Sequence, residues 1–161
     1  MRDIILFVQK SFEGTIASVK AYGEANSTPY RVAVLYDETK KHLYNKLPNA
    51  DIELWCNFDK PESIAAAVKP HLHQLAAVTC RWETYIHKFA NVIPHVPYVR
   101  TPTQKSLLWS VDKVMMRKKF AAYDKSITPK FMVIKELTDE TFEQVRSKIG
   151  FPVVIKPAGL A

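Results

Sequence analysis

Asp3-Ile4-Ile5-Leu6-Phe7-Val8-Gln9 opens the chain with an unbroken apolar run between polar ends. The run is rich in β-branched and aromatic side chains and is too short for a buried helix. It reads as a strand covered on both faces, the pattern of a parallel sheet. Residues 31–36 (RVAVLY), 51–57 (DIELWCN) and 75–79 (LAAVT) repeat it. Between these runs the period changes. Residues 14–25 place Ile16, Val19 and Tyr22 at helical spacing, and Asn26-Ser27-Thr28-Pro29 breaks the helix. A short helix is expected at 40–46, a second begins at Pro61, whose fixed φ suits a first helical turn, and a third spans 81–89.

Strand and helix alternating at this spacing predict an α/β fold, a Rossmann-like open parallel sheet with helices on both faces. The turn after the first strand reads Lys10-Ser11-Phe12-Glu13-Gly14, so the glycine fingerprint that cradles a dinucleotide pyrophosphate is absent. Pro94, Pro97 and Pro102 then crowd one stretch. Each removes a backbone donor and resists helix continuation, which marks a linker. The expected division is 1–98 and 99–161.

Beyond the linker the pattern is different. Residues 104–123 read as one long helix or two joined ones, with Leu107, Leu108, Val111, Met115 and Phe120 as the apolar face. Thr128-Pro129 leads into an expected strand at 130–134. Thr138 caps a helix whose apolar face is Phe142, Val145 and Ile149, and Gly150 closes it. A final strand is expected from Phe151 to the lysine-proline pair Lys156-Pro157.

Of the 161 residues, 47% are hydrophobic and 24% charged, the balance of an ordinary folded chain and not of a disordered one. No apolar run reaches the length a membrane helix needs. Met1-Arg2-Asp3 sets a charge pair before the first apolar run with no small-residue cleavage site after it, which argues against a signal peptide. Cys56 and Cys80 lie in or at the end of core strands and read as buried free thiols in a reducing cytoplasm, although one disulfide between them is the alternative. The net charge of +7 is spread along the chain, so solvated lysine faces explain it before an anion-binding surface does. A nucleic-acid binder ranks last, because no aromatic and basic residues interleave on a predicted sheet face.

Three segments after the linker resemble the ATP-grasp family: Asp112-Lys113 with Met115, Met116, Arg117 and Phe120; Ile127-Thr128-Pro129-Lys130-Phe131; and Phe151-Pro152-Val153-Val154-Ile155-Lys156-Pro157-Ala158. Their order and spacing carry the resemblance, and the region before the linker agrees in architecture with the family's pre-ATP-grasp domain. The resemblance implies a pre-ATP-grasp domain at 1–98 and the incomplete, truncated α+β start of the nucleotide-binding fold at 99–161. It implies the front of an ATP-dependent ligase that joins a carboxylate to an amine or thiol through an acylphosphate. By itself the 161-residue piece is expected to be inactive. ATP and Mg²⁺ are the implied cofactors of the whole enzyme, with a small-molecule carboxylate as substrate. The family's magnesium ligands lie further downstream, so no metal ligand and no catalytic residue is assigned here.

The residues carry the same chemistry without the family. A lysine closing a strand has a packed stem and an ammonium at the sheet edge, so Lys156 is placed to meet a phosphate oxygen. Lys113 on its helix offers a second charge, and positioning with charge neutralisation dominates phosphoryl transfer. Gly159 permits close backbone approach to a ligand. The resemblance implies that Lys113 and Lys156 bind the nucleotide, and with Gly159 they are the candidate nucleotide-binding residues, against the plainer readings of a helix-surface lysine, an edge lysine and a turn glycine. Glu83 is a candidate substrate contact at the C-terminal edge of the sheet. His71 and His73 are two apart, face different ways on a helix and make a poor metal pair. Cys80 and His87 read as a core thiol and a surface imidazole, and Trp55, Trp82 and Trp109 as core or domain-interface residues. The rival reading is a non-catalytic Rossmann-like interaction module, in which an open strand edge pairs with a partner chain or forms a homodimer.

Overall fold

The computed structural model describes residues 2–10, 12–44 and 47–158. Four strands form one parallel sheet: β1 (Ile4–Val8), β2 (Arg31–Asp37), β3 (Ile52–Cys56) and β4 (Leu75–Thr79), in the order β3-β2-β1-β4. The fold class is α/β with an open all-parallel sheet. β1 is central, pairing Ile4 with Arg31 and Val8 with Leu35 on one side, and Leu6 with Val78 on the other. It is also the most apolar strand, because a strand covered on both faces and both edges has no use for a polar side chain.

The pleat sends alternate residues to two cores. Ile4, Leu6 and Val8 join Ala33 and Leu35 on one face, under α2 (Pro61–Val68) and α3 (Ile86–Val92), which contribute Ile64, Val68, Phe89 and Val92. Phe7, Val32, Val34 and Tyr36 point the other way, beneath Ile16 and Val19 of α1 (Glu13–Ala25). Each such fully buried Val, Leu, Ile or Phe contributes about 1.5–3 kcal/mol of transfer free energy. The helix expected at 40–46 is a 3-10 turn, Glu38–Leu43, capped by the Asp37 carboxylate at Thr39 N–H. The helix expected at 81–89 starts later, as a 3-10 turn at Glu83–Tyr85 that runs into α3.

The chain divides into two compact units, Met1–Leu108 and Trp109–Ala161. The region read as one helix or two is two: α4 (Gln104–Val111) and α5 (Lys113–Tyr123). Asp112 makes the break. Its carboxylate accepts from Val114 N–H and Met115 N–H at 2.9 Å each, satisfying two donors that a new helix start leaves open. α6 (Asp139–Lys148) begins as expected, with Thr138 Oγ1 accepting from Thr141 N–H at 3.2 Å.

The strands expected at 130–134 and in the segment before Lys156-Pro157 do not form. Both stretches lack ladder pairing among the described residues. Their composition suits strands, but a strand exists only through a neighbour that takes its N–H and C=O groups, and the second unit supplies none. In consequence Val154 and Ile155 are 81% and 70% exposed. No helix among the described residues is long and apolar enough to cross a membrane.

Candidate functional site

Two regions gather chemistry, one in each unit. In the second unit, α5 ties together the three segments singled out in the sequence. Lys113 is its first residue, and its backbone N–H donates to the Ala158 carbonyl at 3.2 Å, next but one to Lys156. One turn further on, Arg117 Nη1 donates to Thr128 Oγ1 at 3.1 Å. The start of the helix therefore meets both the Lys156-Pro157-Ala158 stretch and the Thr128-Pro129 turn. Lys113 is half-buried and Lys156 exposed. Gly159 lies outside the described residues.

The second unit also leaves an apolar groove of about 320 Å³, lined by Ile134, Leu137, Phe142, Phe151, Val153 and Ile155 among others. Phe142 of α6 stacks on Phe151 at 5.3 Å between ring centroids. Val145 is the buried residue of α6, so most of its apolar face reaches this open groove.

In the first unit the sheet order creates a switch point. From β1 the chain passes to β2 and β3 on one side, then crosses back to β4 on the other. Loops leaving β1 and β4 at their C-terminal ends therefore diverge, the place where open α/β sheets take ligands. Here the mouth is bridged. Phe12 packs on Trp82 at 5.5 Å, Lys10 Nζ lies 5.9 Å from the Trp82 ring centre, and Arg81 Nη1 donates to Thr15 Oγ1 at 2.9 Å. Glu83 is exposed on the loop after β4, at the edge where the sequence put it. Trp82, read as a core or interface residue, is instead 38% exposed over Phe12, because it sits past the strand end where the sheet no longer covers it.

Beside this mouth, at the ends of β1 and β2, an open cleft of about 490 Å³ is lined by Lys10, Phe12, Glu13, Tyr36, Tyr44 and Leu47, with Pro48 at its rim. Tyr36, Tyr44 and Trp55 form a ring cluster with centroids 5.0–5.7 Å apart. Burial pushes the Tyr36 hydroxyl up to about 12. That hydroxyl and Gln9 Nε2 are buried without a hydrogen-bond partner among the described residues. Gln9 Oε1 accepts from the Tyr44 hydroxyl at 2.8 Å, and Gln9 holds φ at +67°. A left-handed non-glycine residue at a strand end is strained and recurs at functional sites.

Behind the cleft, Asp37 closes β2 and is nearly fully buried. It accepts from Thr39 N–H, Thr39 Oγ1 and Lys88 Nζ. Burial works to raise its pKa, but the bonds from Lys88 and Thr39 together outweigh it and hold the carboxyl below the usual range.

Other sequence candidates separate. Cys56 is buried and Cys80 half-buried, and both are free thiols. Burial pushes Cys56 up to about 12 and raises Cys80 as well, so neither is poised as a thiolate. His87 is exposed on α3. His73 stacks on Tyr98 at 5.1 Å, while His71 Nδ1 is buried without a hydrogen-bond partner among the described residues. Trp55 packs in the first unit's ring cluster, and Lys119 lies 4.3 Å over Trp109 in the second. Sequence reasoning missed Lys10, Tyr36 and Tyr44. The available signal was Tyr36-Asp37, a polar pair following the apolar run Val32 to Leu35 at the sheet's ligand edge. Comparison with protein-family models and with curated proteins finds no match.

Proposed function

We propose that this chain is the front portion of an ATP-dependent ligase of the ATP-grasp kind, which joins a small-molecule carboxylate to an amine or thiol through an acylphosphate. One observation carries the reading. Two of the three sequence segments that resemble the family lie close together in the chain and the third about twenty residues further on, and all three meet at the first turns of α5 through the Lys113 to Ala158 and Arg117 to Thr128 bonds. That convergence brings the backbone of Lys113 beside the segment that carries Lys156. Lys113 and Lys156 would then flank the phosphates, where two ammonium groups neutralise charge and fix the triphosphate for in-line transfer. Mg²⁺, when bound with ATP, supplies further charge neutralisation between the phosphates. The ligand groups for it are not assigned to residues of this chain.

The Rossmann-like sheet supports the same reading as a pre-ATP-grasp domain. The open apolar groove of the second unit fits a nucleotide-binding fold whose remaining elements cover Phe142, Phe151 and Ile155. That groove also favours the alternative, a non-catalytic module that docks another polypeptide there.

A lysine-reactive acyl-phosphate derivative of ATP separates the two, with peptide mapping across the lysines. The ligase reading expects labelling concentrated on Lys156 and Lys113 and suppressed by excess MgATP. Labelling scattered over exposed lysines and indifferent to MgATP would overturn it.

A further inference from the structure

The cleft at the C-terminal ends of β1 and β2 is not used by the ligase reading, and its lining has a consistent chemistry. Its volume, about 490 Å³, falls within the range of small-molecule sites, about 300–1,000 Å³. Its walls are aromatic and apolar: Phe12, Tyr36, Tyr44 and Leu47. Two further features point to a ligand and not to a simple surface dimple. The Tyr36 hydroxyl, on a side chain 1% exposed that lines the cleft, has no hydrogen-bond partner among the described residues. A buried hydroxyl without a hydrogen bond is disfavoured, and sites that persist with one tend to use it. Lys10 at the mouth contacts the Trp82 ring but has no carboxylate partner among the described residues.

We infer that this cleft binds a small aromatic carboxylate, its ring against Phe12, Tyr36 and Tyr44, its carboxylate met by Lys10, and a polar ring substituent met by the Tyr36 hydroxyl. Offset and edge-on ring contacts of the kind Tyr36, Tyr44 and Trp55 already make favour an aromatic body over an aliphatic one. The left-handed Gln9 contributes from behind: its Oε1 fixes the Tyr44 hydroxyl and thereby the ring wall. The site lies wholly in the first unit. It stands or falls apart from nucleotide binding at Lys113 and Lys156.

The test is an amide-resolved NMR titration of the whole chain with para-hydroxyphenylpropanoate, phenylpropanoate, phenylpropanamide and hexanoate. The inference expects saturable shifts at Lys10, Tyr36 and Tyr44. It expects about tenfold weaker binding of the neutral amide than of phenylpropanoate, equivalent to one good charged contact. Lys10→Ala should erase the difference between phenylpropanoate and its amide. Tyr36→Phe, which keeps the ring, should erase the preference for the hydroxylated probe while leaving phenylpropanoate binding in place. A merely structural Tyr36 would not produce that selective loss. Absence of saturable shifts at these residues would overturn the inference. So would hexanoate binding as tightly as phenylpropanoate, or charge and hydroxyl preferences that survive both substitutions.

Discussion

Replacing Asp37 with alanine removes a buried carboxylate at the ligand edge of the sheet. The substitution takes away three acceptor interactions at once, from Thr39 N–H, Thr39 Oγ1 and Lys88 Nζ, and leaves the Lys88 ammonium without its counter-ion. Breaking a buried ion pair by deleting one partner costs about 3–5 kcal/mol. The Lys88 side chain is 22% exposed and rests on the Phe58 and Tyr85 rings, so its charge regains some water and some ring contact. That places the expectation at the low end, about 3 kcal/mol. Lys88→Met keeps the packing of the stem and leaves Asp37 its Thr39 bonds, so it should lose less, about 2 kcal/mol. Urea unfolding followed by tryptophan fluorescence measures both, and the double variant closes a cycle. The double variant should fall short of the sum by at least about 1.5 kcal/mol, since neither orphan is left behind. If Asp37→Ala stays within about 0.5 kcal/mol of the parent, as a surface change would, or the two losses add, the pair does not anchor α3 to the end of β2.

Three further outcomes follow from the same geometry. Tyr36→Phe should stabilise the fold by about 1 kcal/mol, read as a higher Tm, because it removes a buried hydroxyl with no partner among the described residues; equal or lower stability would mean the hydroxyl is satisfied. Gly23→Ala should destabilise by about 1–3 kcal/mol despite the better helix propensity of alanine, since the new Cβ meets Thr28 O at 2.7 Å and Tyr30 N at 3.0 Å, both backbone atoms; an unchanged urea midpoint would refute the close approach. Acid should destabilise the fold through Asp3, Asp37 and Asp51. The hydrogen bond from Arg31 lowers Asp3, while at Asp37 and Asp51 burial opposes but is outweighed by Lys88 with Thr39 and by Lys20 with Val32 N–H. A depressed folded pKa gives stability that is fully present above the ordinary value of 3.8 and is lost as pH falls through the lower folded values. Asp3→Asn with Asp51→Asn should flatten that acid limb in a pH series of urea midpoints, and an unchanged slope would count against the linkage.

The parallel sheet was legible because its signal is local. Ile4 to Val8 and Arg31 to Tyr36 announce burial on both faces, and helical spacing resumes between the strands. The break at Asp112 was half legible: the residue type suits a cap, but only the bonds to Val114 and Met115 decide for two helices. Residues 130–134 and the Val153-Val154-Ile155 run were misread for the converse reason. Their side chains favour a strand, yet pairing is a property of neighbours, and none is supplied. Lys113 and Lys156 were legible as residue types in a pattern, whereas the bond from Lys113 N–H to Ala158 joins segments whose proximity no local rule contains. The aromatic cleft was invisible for a similar reason. Lys10 and Phe12 follow β1, Tyr36 lies next to the end of β2, and Tyr44 and Leu47 follow the next turn, so only the sheet order assembles them. Trp82 shows the limit of composition, since a tryptophan three residues past a strand end lies outside the cover the sheet provides.

The central claim is that α5 and the Lys156 segment form part of a nucleotide site. Its most direct test is an amide-resolved NMR titration of the chain with MgATP into the millimolar range, repeated with Lys113→Ala and Lys156→Ala. The account predicts weak, saturable shifts confined to the amides around Lys113 and from Ile155 to Ala158, lost in Lys156→Ala and weakened in Lys113→Ala. Shifts elsewhere in the molecule, or none at these amides, would contradict it.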